Sequence, residues 1–208
     1  MAITFYTNPM SRGQIARWAL HEAGADYEQE LVAYGEEMQG DYRRDINPMA
    51  KVPAIVHDGK VVTECAAICA YLAEAFPAAA LAPRADERAA YFRWMFFAAG
   101  PVEAAVTNNA LGMKPEKPEQ SRTLGYGDYD RTIDTLEAHF ERHAYVCGER
   151  FTAADVYVGS QVVWGTQFGT MPQRDSLIAY AERLTAREAY REAKAIDTEL
   201  IEQSQQAE

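Results

Sequence analysis

Residues Lys51–Cys65 read KVPAIVHDGKVVTEC, and this stretch decides the fold. Two short apolar runs, Ala54–His57 and Val61–Thr63, flank Asp58-Gly59, a dipeptide suited to the positive φ angles of a tight hairpin turn. Pro53 has no backbone N–H and stands at the mouth of the first run. A cis bond there would turn the chain so that the N–H and C=O of Val52 are open to pair with an extended peptide. The second run ends in Glu64-Cys65, which opens ECAAICAYLAEAFP, a helix with Cys65, Ile68, Cys69 and Leu72 on one side, closed by Pro77.

Upstream, Ile3–Thr7 (ITFYT) is a β-prone run. It leads through Asn8-Pro9 into SRGQIARWALHEAG, where Ser11 can cap, Ile15, Trp18 and Ala19 recur at helical spacing, and Gly24 stops the helix. Tyr27–Val32 reads as a second strand, and Gly35–Asn47 as loop with a short irregular helix. The order β-α-β-α-β-β-α therefore fits within the first 77 residues, with one helix between the first two strands implying a parallel pair. Domain bounds follow: an α/β domain over 1–78, an Ala/Pro linker over 79–85 and an all-helical domain over 86–208.

In the helical half, Gly100-Pro101 is expected to kink the helix begun at Asp86, and Met113–Gly127 reads as a polar loop. Tyr129, Ile133, Leu136 and Phe140 form one buried stripe. In ERFTAADVYVG, Thr152 and Asp155 make a capping box, with Phe151 placed to staple against Val156. Thr185 and Glu188 read as a second box, and the tail EQSQQAE as frayed.

Net charge is −11 over 208 residues, with no basic run, so nucleic acid and anionic membrane are poor partners. An anionic small molecule stays open to it wherever local cations and helix N-termini converge. The start MAITFYTNPM lacks the basic and apolar regions of a signal peptide, and Cys65, Cys69 and Cys147 suit a reducing cytoplasm. No metal is expected: His139 and His143 share a helix face without a third ligand, and read as exposed surface.

The helix start after the first strand presents Tyr6, Asn8, Ser11 and Arg12, and a helix N-terminus favours negative charge and a low thiol pKa. The strand order, the Val-Pro before the third strand, Glu64-Cys65 opening the third helix and FTAADV together resemble a cytosolic glutathione S-transferase of the bacterial, serine-containing type. The resemblance runs from Ile3 to about Arg191. It implies a thioredoxin-like N-terminal domain with cis-Pro53, an all-α C-terminal domain, a homodimer, and glutathione as co-substrate. Val52 and Pro53 match the family's main-chain clamp on glutathione, and Glu64 the residue that meets its γ-glutamyl end. Cys65 stands where the family usually has Ser or Thr, and a thiol is the weaker donor. Lys51 and Arg12 are the cations available for glutathione's carboxylates.

Two residues fit the group that activates the thiol. Ser11 matches the Pro-x-Ser pattern at the helix start, where the dipole acts, and Tyr6 matches a tyrosine at the end of the first strand. The implied reaction is conjugation of glutathione thiolate to an electrophilic, largely apolar small molecule. A glutathione-dependent disulfide or peroxide reductase and a non-catalytic binding protein share the fold. The first helix carries MSRG in place of Cys-x-x-Cys, which argues against dithiol chemistry.

Overall fold

A computed structural model of the chain describes residues 3–206. The first half runs β1 (Ile3–Thr7), α1 (Gly13–Ala23), β2 (Tyr27–Leu31), α2 (Glu36–Gln39), α3 (Asp41–Asp45), β3 (Ala54–His57), β4 (Lys60–Thr63) and α4 (Cys65–Ala75). The second runs α5 (Arg88–Phe97), α6 (Glu103–Ala110), α7 (Pro118–Thr123), α8 (Tyr129–Phe140), α9 (Ala153–Gln167), α10 (Asp175–Thr185) and α11 (Glu188–Gln206). These elements form two compact units: residues up to Ala82 together with those from Arg187 onward, and Pro83–Ala186.

In the first unit the sheet order is β2-β1-β3-β4, with β1–β2 parallel and the other two pairs antiparallel. Asp58 and Gly59 both take positive φ, 52° and 73°, the geometry of the hairpin turn their types favour. Alternate residues of β1 face opposite layers. Phe5 lies on the α1 side, edge-on to Tyr27, and Tyr6 packs against Tyr42 of α3 on the other. Ile68, Cys69 and Leu72 of α4 are fully buried, as their spacing requires. Gly24 ends α1 in the left-handed region, φ 61°, and donates its N–H to the last turn.

The last helix packs where its local pattern carries no signal. Arg17 of α1 is fully buried and donates from Nε to Asp197 of α11 at 3.0 Å, and Arg187 clasps Glu22 with two bonds of 2.6 and 2.7 Å. Trp18 meets Tyr190 edge-on. Helix α11 runs through Gln206, so the tail is ordered helix and not frayed up to that residue. Thr185 is also not an N-cap: it is the final residue of α10, and its hydroxyl donates back to the Glu182 carbonyl.

In the second unit α5 passes into a π-helical segment, Ala98–Val102, that accommodates Pro101 and hands over to α6. The polar stretch 113–127 is more than a loop, since Pro118 starts the short helix α7 and the Gln120 side chain accepts from the Lys117 N–H at 2.9 Å. Thr152 and Asp155 cap α9 reciprocally, and Asp155 further accepts from Val146 N–H at 2.7 Å and from the Tyr180 hydroxyl at 3.0 Å. His139 is not a surface residue. Its ring centroid lies 4.3 Å from that of Trp94, and Nε2 reaches the Val146 carbonyl. Trp94 and Tyr157 are buried in this unit, whereas Phe96 is exposed.

Candidate functional site

The strand register brings the predicted residues to one end of the sheet. Tyr6 pairs with Ala54, and Ala54 pairs with Thr63. Because β3 runs antiparallel to both neighbours, Val52-Pro53 leads into it beside the end of β1, and Glu64-Cys65 follows from the same end of β4. The Val52–Pro53 bond is cis. Val52 precedes the strand ladder, and no residue among those described bonds to its N–H or C=O.

The loop Asn8–Arg12 joins β1 to α1. Ser11 closes it: its hydroxyl donates to the Asn8 carbonyl at 2.6 Å and accepts from the Gly13 N–H at 2.9 Å, so Ser11 satisfies the first N–H of α1 although the N-cap position itself is Arg12. Asn8 is itself anchored, its amide donating to the Val32 carbonyl at 3.1 Å and its Oδ1 accepting from Met10 N–H at 3.0 Å. The start of α1 presses directly on β1. A Cβ on Gly13 would stand 1.9 Å from the Thr7 hydroxyl, so only glycine permits this approach.

Helix α4 begins against the same turn. The Cys65 thiol donates to the Arg12 carbonyl at 3.5 Å, which ties the first turns of α1 and α4 together. Two eleven-residue helices thus turn their N-termini toward one place, and their dipoles add there. Glu64 holds φ 64°, ψ 118°, a backbone geometry that costs a side-chain-bearing residue free energy and that persists only where surroundings impose it. Cys69, one turn on, is core, and burial raises its thiol pKa well beyond the usual range.

Lys51 and Arg12 both present exposed side chains at this end. The Lys51 carbonyl is held from below by the Tyr42 hydroxyl at 2.6 Å and the Asn47 amide at 2.8 Å. Burial pushes the Tyr42 hydroxyl up to about 12, so it stays protonated and donating. Sequence reasoning missed both supports. Asn47-Pro48 carried a turn signal that could have found one, and nothing local marks Tyr42.

Tyr6 faces α3, and no described hydrogen bond or ring contact joins it to Ser11. Its half-buried ring stacks obliquely on Tyr42, 5.6 Å between centroids, and opens on a cleft of about 610 Å³ lined also by Glu30, Glu37, Asp41 and Asp45. Among the described residues no group of three or more His, Cys, Asp or Glu could hold a metal ion, and no helix is long and apolar enough to cross a membrane.

Residues 1–74 match the family described as glutathione S-transferase, N-terminal domain, and residues 119–183 that described as glutathione S-transferase, C-terminal domain. The chain belongs to the glutathione S-transferase family. A probable maleylacetoacetate isomerase from Caenorhabditis elegans is 40% identical over 160 residues, covering 73% of each chain. A glutathione transferase from Methylococcus capsulatus superposes with TM-score 0.76 at 27% identity, covering 95% of this chain and 99% of that one. A theta class glutathione S-transferase from Xanthomonas axonopodis pv. citri, solved with glutathione bound, superposes with TM-score 0.70 at 25% identity over 92% and 96% of the two chains. In glutathione S-transferase terms, the four-stranded mixed sheet is the thioredoxin-like part and Thr152–Asp155 the capping box of the helical part.

Proposed function

We propose that this glutathione S-transferase binds glutathione at the sheet end just described and transfers its thiolate to an electrophilic carbon of an apolar small molecule. The observation that carries the reading is the junction of α1 and α4, where two helix N-termini meet through Cys65 and Arg12. That junction favours a carboxylate, and the open main chain of Val52 favours an extended peptide. Glu64 and the Cys65 N–H would meet the γ-glutamyl end, with Arg12 and Lys51 near the carboxylates.

Ser11 is the group proposed to activate the thiol. Its hydroxyl stands just before the first turn of α1, bonded to the Gly13 N–H, where the dipole lowers the cost of a neighbouring anion. Tyr6 is the poorer candidate because four carboxylates line its cleft, of which Asp41 and Asp45 pair with Arg44, and the unbalanced negative charge repels an anion there. In the reaction the thiol proton leaves to solvent, the sulfur–carbon bond forms, and the displaced group departs with its electron pair. A homodimer working in the cytoplasm completes the reading.

The relative named as a probable isomerase supports a second reading. The same thiolate would add to a conjugated double bond, allow rotation, and leave, so that no glutathione is consumed. The deciding experiment follows the ultraviolet absorbance of bound glutathione thiolate across pH in the wild type and Ser11→Ala, with conjugation of a chlorinated nitroarene assayed alongside. A thiolate near neutrality that is lost in Ser11→Ala, with nitroarene turnover, supports transfer through Ser11. Binding without thiolate or turnover sinks it. Substrate loss at constant thiol titre would favour isomerisation.

A further inference from the structure

We propose that Asn8 is a positioning residue for Ser11: it fixes the loop that carries the hydroxyl, and its carbonyl holds the hydroxyl proton until a bound thiolate takes it over. This rests on the reading of Ser11 as the thiolate's donor.

A serine hydroxyl has one proton and two lone pairs. In Ser11 the proton is already donated, to the Asn8 carbonyl at 2.6 Å, and one lone pair is filled by the Gly13 N–H at 2.9 Å. The hydroxyl can therefore serve a thiolate only by turning away from Asn8. The turn leaves no orphan, because the Asn8 carbonyl also accepts from the Ser11 N–H at 3.1 Å. Release is cheap on the protein side, and a thiolate is a better acceptor than a carbonyl.

The turning hydroxyl gains from a loop that stays still while it moves. The Asn8 amide reaches across 24 residues to the Val32 carbonyl at 3.1 Å, and Val32 N–H in turn donates to the Thr7 carbonyl at 2.8 Å. Those two bonds make a closed bracket between the end of β1 and the end of β2. Oδ1 adds the inner brace to Met10 N–H. Asn8 is buried, which shields the bracket from water. Without the Asn8 side chain, the ties that reach this loop from other side chains are Gln14 Nε2 to the Pro9 carbonyl at 2.6 Å and two longer bonds of 3.5 Å, Tyr34 hydroxyl to the Met10 carbonyl and Cys65 thiol to the Arg12 carbonyl. None of these holds Asn8 itself. Ser11 would then sample positions from which its donor misses the sulfur.

The test is the pH midpoint of the bound-glutathione thiolate band in the wild type, Asn8→Ala, Ser11→Ala and the double variant, with melting temperature measured on each. The midpoint is expected to rise by about one pH unit in Asn8→Ala, the size of one lost charge-assisted hydrogen bond. In the Ser11→Ala background the Asn8→Ala change should then move nothing further. A midpoint that stays put while the melting temperature falls would make Asn8 a structural residue and overturn the proposal. So would a shift that persists without Ser11. If the wild type and Ser11→Ala share one midpoint, the Ser11 reading itself has failed and this proposal falls with it. Should Asn8→Ala not fold, Asn8→Ser carries the same comparison, since its hydroxyl can brace Met10 but is too short to reach Val32.

Discussion

Arg17 and Asp197 stand 180 positions apart in the chain and meet at 3.0 Å with both side chains almost wholly buried. The guanidinium also donates to the Tyr27 hydroxyl and Gln29 Oε1, each at 3.0 Å, and lies over the Phe5 and Tyr27 rings. One ion pair thus joins α11 to the helix that Ser11 leads into. Asp197→Ala strands a buried cation and is expected to cost about 3 to 5 kcal/mol by urea denaturation. Arg17→Met with Asp197→Leu removes both charges and should cost far less. Equal losses from the single and double changes would show that packing, and not the charge, is what matters.

Gly13→Ala tests the close approach of α1 to β1. Its Cβ would meet the Thr7 hydroxyl at 1.9 Å, so backbone or side chain must shift. A loss of about 1 to 3 kcal/mol is expected, although alanine is the better helix former. Glutathione affinity, read by titration calorimetry, should fall with it, because the first turn of α1 is displaced. A variant as stable as the wild type would mean the contact relaxes without cost.

Glu64→Gly should separate stability from binding. At φ 64° glycine relieves backbone strain, so the melting temperature is expected to rise, by the equivalent of about 1 kcal/mol. Glutathione should bind more weakly, since the carboxylate that would meet the γ-glutamyl ammonium is gone. Strain retained at a position proposed to bind fits the usual trade between stability and function. A rise in both quantities would remove Glu64 from the site.

His139 gives the helical unit a pH dependence. Burial beside Trp94, with His143 stacked on it, lowers its imidazole pKa from 6.5 to about 4. The unfolded chain therefore takes up a proton between those values that the folded one does not, and stability falls as pH drops from 6.5 toward 4. The half-buried ring limits the effect to about 1 kcal/mol. Urea midpoints at pH 7 and pH 5 should differ more in the wild type than in His139→Gln. Parallel pH profiles would assign the loss to other groups.

The local chemistry of single segments was legible in the sequence. Asp58-Gly59 adopts its positive φ pair, Gly24 its left-handed cap, and Thr152 with Asp155 their reciprocal box, because each depends on residues within a few positions of one another. Buried stripes such as Ile68, Cys69 and Leu72 were visible for the same reason, since helical periodicity is a local property. With those pieces in order, the α/β-then-helical architecture and the family followed.

Tertiary structure alone decided what each polar side chain does. Thr185 sits in a sequence that spells a cap and instead closes α10, and His139 looks like surface until Trp94 covers it. Ser11 was favoured over Tyr6 for its place at the helix start, and the alternation of β1 adds that Tyr6 turns toward Tyr42 and an acidic cleft. Nothing near Arg17 announces Asp197, and nothing near Asn8 says that its amide reaches Val32. A hydrogen bond or ion pair is set by where two atoms lie, and for partners far apart in the chain that is known only once the backbone between them has folded.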